Sequence, residues 1–312
     1  MPKLDISIAG ELNLDLILYG LPQNLPTERE LLASGFAMTL GSSSAILAHN
    51  LAVLGTSVGF ITKVGEDPLG TIALNRLTES GADLSAVVRD RKTGSGVTVV
   101  LPHEKERHIL TYPGTIFELQ FEDLDLEYLA SARHFHMSSL FLHRAMANRI
   151  PDLFRLMKNR GLSTSLDTND DPEDRWAGPL RETLPYVDVI LPNEREAMKL
   201  TGKNDLDSAI SSLAEQVSLV IVKMGAKGAI AARGKERFSA PAVQVQIVDP
   251  VGAGDSFNAG FLHEYLRGGD LESCLRVGNL AGAFSTTASG GTEAFRNRAR
   301  FQKFCFSASG AI

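Results

Sequence analysis

The chain has 312 residues, 44% hydrophobic and 22% charged, with a formal net charge of −6 and a pI near 5.7. Without a long Lys/Arg stripe this balance argues against nucleic acid or an anionic membrane surface as partner, and no apolar run is long enough to span a bilayer. Cys274 and Cys305 are the only cysteines, which argues against a disulfide framework and for two small hydrophobes in a reducing, cytoplasmic setting.

Ile6–Ala9 reads as a first strand. Gly10–Asp15 follows it with Asn13 and Asp15, short polar side chains that suit the hydroxyls of a sugar or a simple turn. Leu14–Tyr19 and Glu30–Thr39 are extended, alternating stretches joined by the Pro-rich Leu21–Pro26. Gly41-Ser42-Ser43-Ser44-Ala45 then leads into a helix over Ala45–Leu54, whose apolar positions recur with the 3.6-residue period; the serines read as caps or as ligand contacts. After a strand at Val58–Val64, Gly65-Glu66-Asp67-Pro68-Leu69-Gly70 reads as structural turn chemistry. Gly96–Leu101 and Arg107–Tyr112 form a hairpin across the polar turn His103–Glu106. Strands that project without intervening helices predict a small antiparallel sheet, at about residues 12–40 and 94–113. It serves either as a lid that excludes water or as surface decoration.

In the second half, strand-like runs at His134–Met137, Ser163–Asp167, Val187–Leu191, Leu219–Val222 and Val243–Val248 alternate with helical patterns. This rhythm predicts an α/β fold with a largely parallel sheet covered on both faces, in one domain spanning residues 1–312. His134 and His136 lack a third ligand and read as ordinary packing. Leu166–Asp170 is a substrate-side strand end or a solvated loop. Asn193 and Glu196 stand at the end of an apolar strand, where ligand sites of α/β folds lie. An Asn and a Glu at that spacing hold a hydrated Mg²⁺ or cap the following helix. Lys223, Gly225 and Gly228 occupy a strand-to-turn passage that a turn alone would explain, and Lys227 reads as a solvated surface charge.

Residues 249–260, DPVGAGDSFNAG, are the most informative run. Gly252 and Gly254 let the backbone turn sharply where the Val243–Val248 strand gives way to the helix over Phe257–Leu266. A helix starting there offers N–H donors and a positive dipole end to a phosphate. Asp255 would repel that phosphate unless it takes a proton from a hydroxyl that then attacks the phosphoryl group. The run lacks the third glycine of a dinucleotide fingerprint and the Gly-Lys-Ser/Thr of a Walker loop.

This run resembles the C-terminal signature of the PfkB carbohydrate kinases, the ribokinase-like family, with Pro250 where that family usually has Thr. The resemblance covers essentially the full length. It implies a three-layer α/β fold with a central, mostly parallel sheet and a small β-sheet lid, and ATP-dependent phosphorylation of a sugar hydroxyl. Asp255 is then the catalytic base, and the N–H groups of Gly252, Ala253 and Gly254 form the anion hole. Asn13 and Asp15 grip substrate hydroxyls, with Gly41 and Ser42 beside them and Arg107 available for an anionic substituent. Asn193 and Glu196 handle Mg²⁺ and phosphate, while Lys223, Gly225, Gly228, Asn279 and Ala283 line the nucleotide. Asp249, the carbonyl of Val251 and the loop from Ser289 to Gly291 match a monovalent-cation site, for K⁺, of some members.

Related kinases carry a Gly-Gly pair and then an Asn; here Ser42 stands for the second glycine and Ile46 for the Asn. That departure leaves the acceptor open between a sugar and a nucleoside whose base would lie among Phe36, Tyr112 and Phe117. A non-catalytic sugar- or nucleotide-binding regulator is the remaining class, and retention of Asp255, both glycines and Glu196 argues against it. Edge strands of the lid invite pairing into a homodimer.

Overall fold

The computed structural model describes residues 3–103 and 106–309. Its first elements are β1 (Leu4–Ala9), β2 (Asn13–Tyr19), β3 (Gly35–Gly41), α1 (Ser43–Leu54), β4 (Val58–Ile61), β5 (Lys63–Gly65), α2 (Pro68–Ser80), β6 (Val88–Asp90), β7 (Gly96–His103) and β8 (Glu106–Tyr112). Next come α3 (Leu126–Ala130), β9 (Ala132–Ser138), α4 (Ile150–Asn159), β10 (Ser163–Asp167), α5 (Leu180–Thr183), β11 (Val189–Ile190), α6 (Glu194–Thr201) and α7 (Leu206–Ala214). The chain continues through β12 (Leu219–Lys223), β13 (Ala229–Arg233), β14 (Glu236–Ala240), α8 (Ala253–Leu266), α9 (Leu271–Ser285) and α10 (Arg298–Ser309).

Eight strands form the main sheet, in the order β14-β13-β12-β11-β10-β9-β1-β4. All pairings from β4 through β12 are parallel, and β13 and β14 add an antiparallel edge. Parallel strands require crossovers, and the helices that make them cover both faces. Successive side chains of a strand point to opposite faces, and the core divides accordingly. Val189, Leu219 and Ile221 pack with Leu47 of α1 and with Phe257 and Phe261 of α8. Ile190, Val220 and Val222 pack with Leu153 and Phe154 of α4 and Ile210 of α7. The three-layer architecture expected from the alternating pattern is therefore present.

A second sheet has the order β3-β2-β7-β8. It is mixed rather than purely antiparallel, because β2 and β7 pair in parallel. The two strands belong to separate excursions from the main sheet that run the same way. The β7–β8 hairpin has the expected pairing, Val97↔Tyr112 through Leu101↔His108; its turn includes residues 104 and 105, which lie outside the described residues. β3 begins only at Gly35, and residues 30–34 ahead of it are irregular and mostly exposed.

Two other expectations change. Val58–Val64 is two strands, β4 in the main sheet and β5 paired with β6. Val243–Val248 is not a strand: the sheet edge closes with β14, Pro241 follows, and Ile247 and Val248 are exposed. β-propensity without a strand edge to pair with leaves extended coil. The Gly65–Gly70 reading holds, since Asp67 caps α2 by accepting from Gly70 N at 2.7 Å and also accepts from Ser95 N at 2.6 Å. His134 and His136 pack in a ladder with Ser163, Ser165 and Ser138, and burial holds both neutral, His134 being pushed down to about 3. Cys274 is buried and Cys305 half-buried, and no disulfide joins them.

Phe154 is fully buried and meets Phe135 edge-to-face, ring centroids 5.2 Å apart. We expect Phe154→Ala to lower unfolding stability by about 3–5 kcal/mol in a denaturant titration; a loss under about 1 kcal/mol contradicts this packing.

Candidate active site

The parallel strands deliver their C-terminal ends to one edge of the sheet, the usual position of an α/β ligand site. β1 leads to Glu11, Asn13 and Asp15; β10 ends at Asp167; β11 precedes Asn193; β12 ends at Lys223. The turn into α8 joins them from the other side. It is reached from extended coil rather than from a strand. Gly252, the N-cap, has φ +72°, and a Cβ there would lie 2.5 Å from Gly291 Cα, so glycine is required both by conformation and by space. No side chain caps α8, and Ala253 N donates back to Pro250 O at 3.3 Å. Of the three N–H groups expected to face an anion, that of Ala253 is therefore engaged within the turn.

Charge is concentrated here. Asp167 is buried, and its Oδ2 accepts from Lys223 Nζ at 2.6 Å and from the Asn258 amide. The sequence alone left Leu166–Asp170 between a substrate-side strand end and a solvated loop; Asp167 ends β10 with its side chain internal and bound to Lys223, so it is not part of a solvated loop. Burial disfavours the Lys223 ammonium, but Asp167, Glu196 and Asp255 outweigh it and raise its pKa. Lys223 Nζ would stand 3.7 Å from a Cβ built on Gly254, which puts its charge beside the start of α8. Asp255 is pushed up to about 6 by burial and then by Asp167, with Lys223 and a Ser43 hydroxyl hydrogen bond acting in the opposite direction.

Asn193 and Glu196 form a complete capping box on α6. Glu196 N donates to Asn193 Oδ1 at 2.9 Å, while Glu196 accepts from Asn193 N at 2.8 Å and from Asn193 Nδ2 at 2.5 Å. The capping reading is therefore correct, and it does not remove the other one. Glu196 is buried, and its pKa is pushed up to about 7 by burial and by Asp167. An acid in that state gains from a nearby cation. Among the described residues no group of three or more His, Cys, Asp or Glu side chains could hold a metal by itself. A cation here would rely on few protein ligands, as Mg²⁺ does.

On the acceptor side, Asn13 and Asp15 are buried on β2, opposite Gly41 and Thr39 of β3. A Cβ on Gly41 would strike both their side chains. Asp15 is pushed up to about 7 by burial, then by Asp255 and Asp249, with Arg107 opposing, which places it in the same field as the α8 turn. Ser42 Oγ donates to Asn13 Oδ1 at 3.1 Å and makes no helix cap. Arg107 lies exposed on β8.

Gly225 and Gly228 take positive φ, +55° and +96°, around a short turn after β12. Lys227 is the surface charge expected, paired with Glu194 at 3.4 Å. Asn279 spends its amide on the carbonyls of Ala240 and Pro241, each at 3.0 Å, so it ties α9 to the end of β14, while Ala283 is half-buried on α9. Asp249 joins two loops by accepting from Val251 N at 2.9 Å and Gly290 N at 2.8 Å.

Sequence reasoning missed Glu11 and Asn258, and it read Ser43 only as one of the serines that cap α1 or contact a ligand, not as a partner of Asp255. Glu11 is buried and accepts from Ser44 N at 3.2 Å, Ser44 Oγ at 2.6 Å and Ser139 Oγ at 2.7 Å, so it caps α1 from another strand end. Its adjacency to Gly10 at a strand end was a usable signal. Asn258 carried none, since its partner Asp167 lies 91 residues away.

A family model described as pfkB family carbohydrate kinase matches residues 3–298. An uncharacterized sugar kinase of Archaeoglobus fulgidus is 30% identical over 234 residues, which is 75% of this chain and 92% of the relative. The deoxyribokinase of Salmonella typhi is 28% identical, covering 96% of this chain and 98% of its own. The structure of a candidate ribokinase II from E. coli in complex with ATP and Mg²⁺ superposes with a TM-score of 0.86 at 25% identity, over 97% of this chain and 99% of that one. The ribokinase-like fold and the match over nearly the whole length agree: this chain belongs to the pfkB family of carbohydrate kinases.

Proposed function

We propose that this carbohydrate kinase transfers the γ-phosphoryl group of ATP to a sugar hydroxyl, with Asp255 as general base. The observation that carries the reading is Asp255 itself: a half-buried carboxyl, pushed up to about 6, in the first turn of a helix that begins on Gly252. The acceptor hydroxyl gives its proton to the Asp255 carboxylate, its oxygen bonds to the γ-phosphorus, and the bond to the ADP oxygen breaks with its electron pair leaving on ADP. The N–H groups of Gly252 and Gly254, with Ala253 as a weaker third, and the Lys223 ammonium stabilise the charge on the transferring group. Asn13 and Asp15 hold the acceptor, with Gly41 beside them and Ser42 contributing through Asn13, and Arg107 serves an acceptor with an anionic substituent. Asn193 and Glu196 would hold Mg²⁺, which supplies charge neutralisation on the phosphates. The bound ATP and Mg²⁺ of the E. coli relative support that part of the reading.

Gly225, Gly228 and the α9 face of Asn279 and Ala283 line the nucleotide in this account. A monovalent cation such as K⁺ would find oxygen donors at Asp249 and at the carbonyls of Val251, Ser289 and Gly291. The second sheet acts as a lid over residues 12–40 and 94–113 of a single kinase domain, closing the site to water. Its exposed Phe36, Ile109, Leu110 and Tyr112 offer an apolar surface for a second copy. Among the described residues no helix is long and apolar enough to cross a membrane. A nucleoside is the alternative acceptor; of its three aromatic candidates Phe117 is already occupied, with Arg144 4.2 Å above its ring.

Three outcomes test this. In a coupled ADP-release assay over a panel of sugars and nucleosides, the wild type turns over a sugar, and Asp255→Asn loses at least about 100-fold in kcat while nucleotide binding persists; near-wild-type kcat in the variant removes the base assignment. The wild-type rate rises with pH through about 6 as Asp255 loses its proton, and a flat profile from pH 5 to 8 contradicts it. The raised pKa also has a stability consequence. The folded state binds this proton more tightly than the unfolded chain, so stability falls as pH rises from about 4 to above 6. Asp255→Asn should therefore melt higher than the wild type at pH 8, with the gain fading as pH drops below 6; equal melting temperatures at pH 8 contradict the shift.

A further inference from the structure

Ser42 adopts φ 65° and ψ 139°, a region that suits glycine and that other residues occupy only where the surroundings hold them there. The familiar reason for a serine before a helix does not apply. Ser42 makes no side-chain cap; only its carbonyl serves α1, accepting from Ile46 N at 2.9 Å. The first-turn donor Ser44 N is satisfied by Glu11 instead. The Ser42 hydroxyl goes to Asn13 Oδ1 at 3.1 Å. At the other end of the same amide, Asn13 Nδ2 donates to Thr98 Oγ1 at 2.7 Å, and Thr98 Oγ1 in turn meets Thr111 Oγ1 at 3.1 Å. Asn13 is thus gripped between the turn before α1 and the second sheet, in space that Gly41 leaves open.

We propose that Ser42 is a positioning residue for acceptor selectivity: a strained backbone aims its hydroxyl at Asn13 and fixes the amide that meets the acceptor. An acceptor facing a fixed amide must match one hydrogen-bonding arrangement, and one that cannot leaves buried polar groups unpaired. An amide released at its Oδ1 end can turn and serve more than one arrangement. Ser42 thereby narrows the acceptor range at some cost in backbone stability. The inference rests on the kinase reading above.

Two variants separate the hydroxyl from the backbone. Ser42→Ala keeps the left-handed residue and loses the hydroxyl, whereas Ser42→Gly loses both the hydroxyl and the strain. Each is compared with the wild type in the ADP-release assay over the sugar and nucleoside panel, and by thermal unfolding without ligand. Both variants should raise KM for the preferred acceptor by about 3- to 10-fold with a smaller change in kcat, and should reduce its advantage over epimeric and deoxy analogues. Ser42→Gly should melt at or above the wild type, and Ser42→Ala below it. Unchanged KM and selectivity in both variants overturn the assignment, as does a Ser42→Gly protein that melts below Ser42→Ala. Failure of the wild type to phosphorylate any acceptor overturns the kinase reading and this inference with it, whereas an active wild type with unaffected variants overturns the role of Ser42 alone.

Discussion

Lys223 and Asp167, joined at 2.6 Å beneath the cleft, form the contact on which the electrostatics of the site depend. β10 and β12 end two strand positions apart with β11 between them, and the pair bridges that gap. Around it stand Glu196 and Asp255, with Asp15 and Asp249 within electrostatic reach. Carboxylates gathered in a poorly hydrated place suppress one another's ionisation, and a single fixed ammonium keeps that suppression moderate. Asp255 is left with a pKa of about 6 and Glu196 with about 7, values useful to a base and to a cation ligand near neutral pH. Removing one member of such a buried pair typically costs about 3–5 kcal/mol, because the other is left uncompensated. Lys223 therefore supports the fold as well as the chemistry.

The same region links the two sheets mechanically. Tyr19 of β2 donates from its hydroxyl to Ser289 Oγ at 2.9 Å, and Gly290 leaves no room for a Cβ beside Thr39 of β3. The next residue, Gly291, lies against Gly252, and its carbonyl accepts from Asn50 of α1 at 3.0 Å. Asp249 closes the circuit through Gly290 N. The second sheet is thus tied to the turn that begins α8 through the 289–291 loop.

Much of this was legible in the sequence, and the parts that were not share a cause. Period and strand spacing gave the parallel sheet and the hairpin, and the Gly65–Gly70 run gave the turn ahead of α2, because each of these depends on local residue choice. The DPVGAGDSFNAG run marked the α8 turn for the same reason. Val243–Val248 misled because β-propensity says nothing about whether a partner strand is present, and the parallel β2–β7 pairing depends on how two distant excursions meet. Asp167, Asn258 and Glu11 act through partners 33 to 128 residues away, beyond any local pattern. Asn193 and Glu196 presented two readings, cap and cation ligand; the structure realises the first and leaves the chemistry for the second in place.

The central claim is that partial burial, with Asp167 adding to it, raises the pKa of the Asp255 carboxyl well above the ordinary aspartate value, and a site-resolved ¹³C carboxyl NMR titration tests it most directly. With Asp255→Asn identifying the resonance, the account predicts a midpoint at about 6. A midpoint at the ordinary aspartate value of 3.8 would show a solvated, unperturbed side chain and would contradict it.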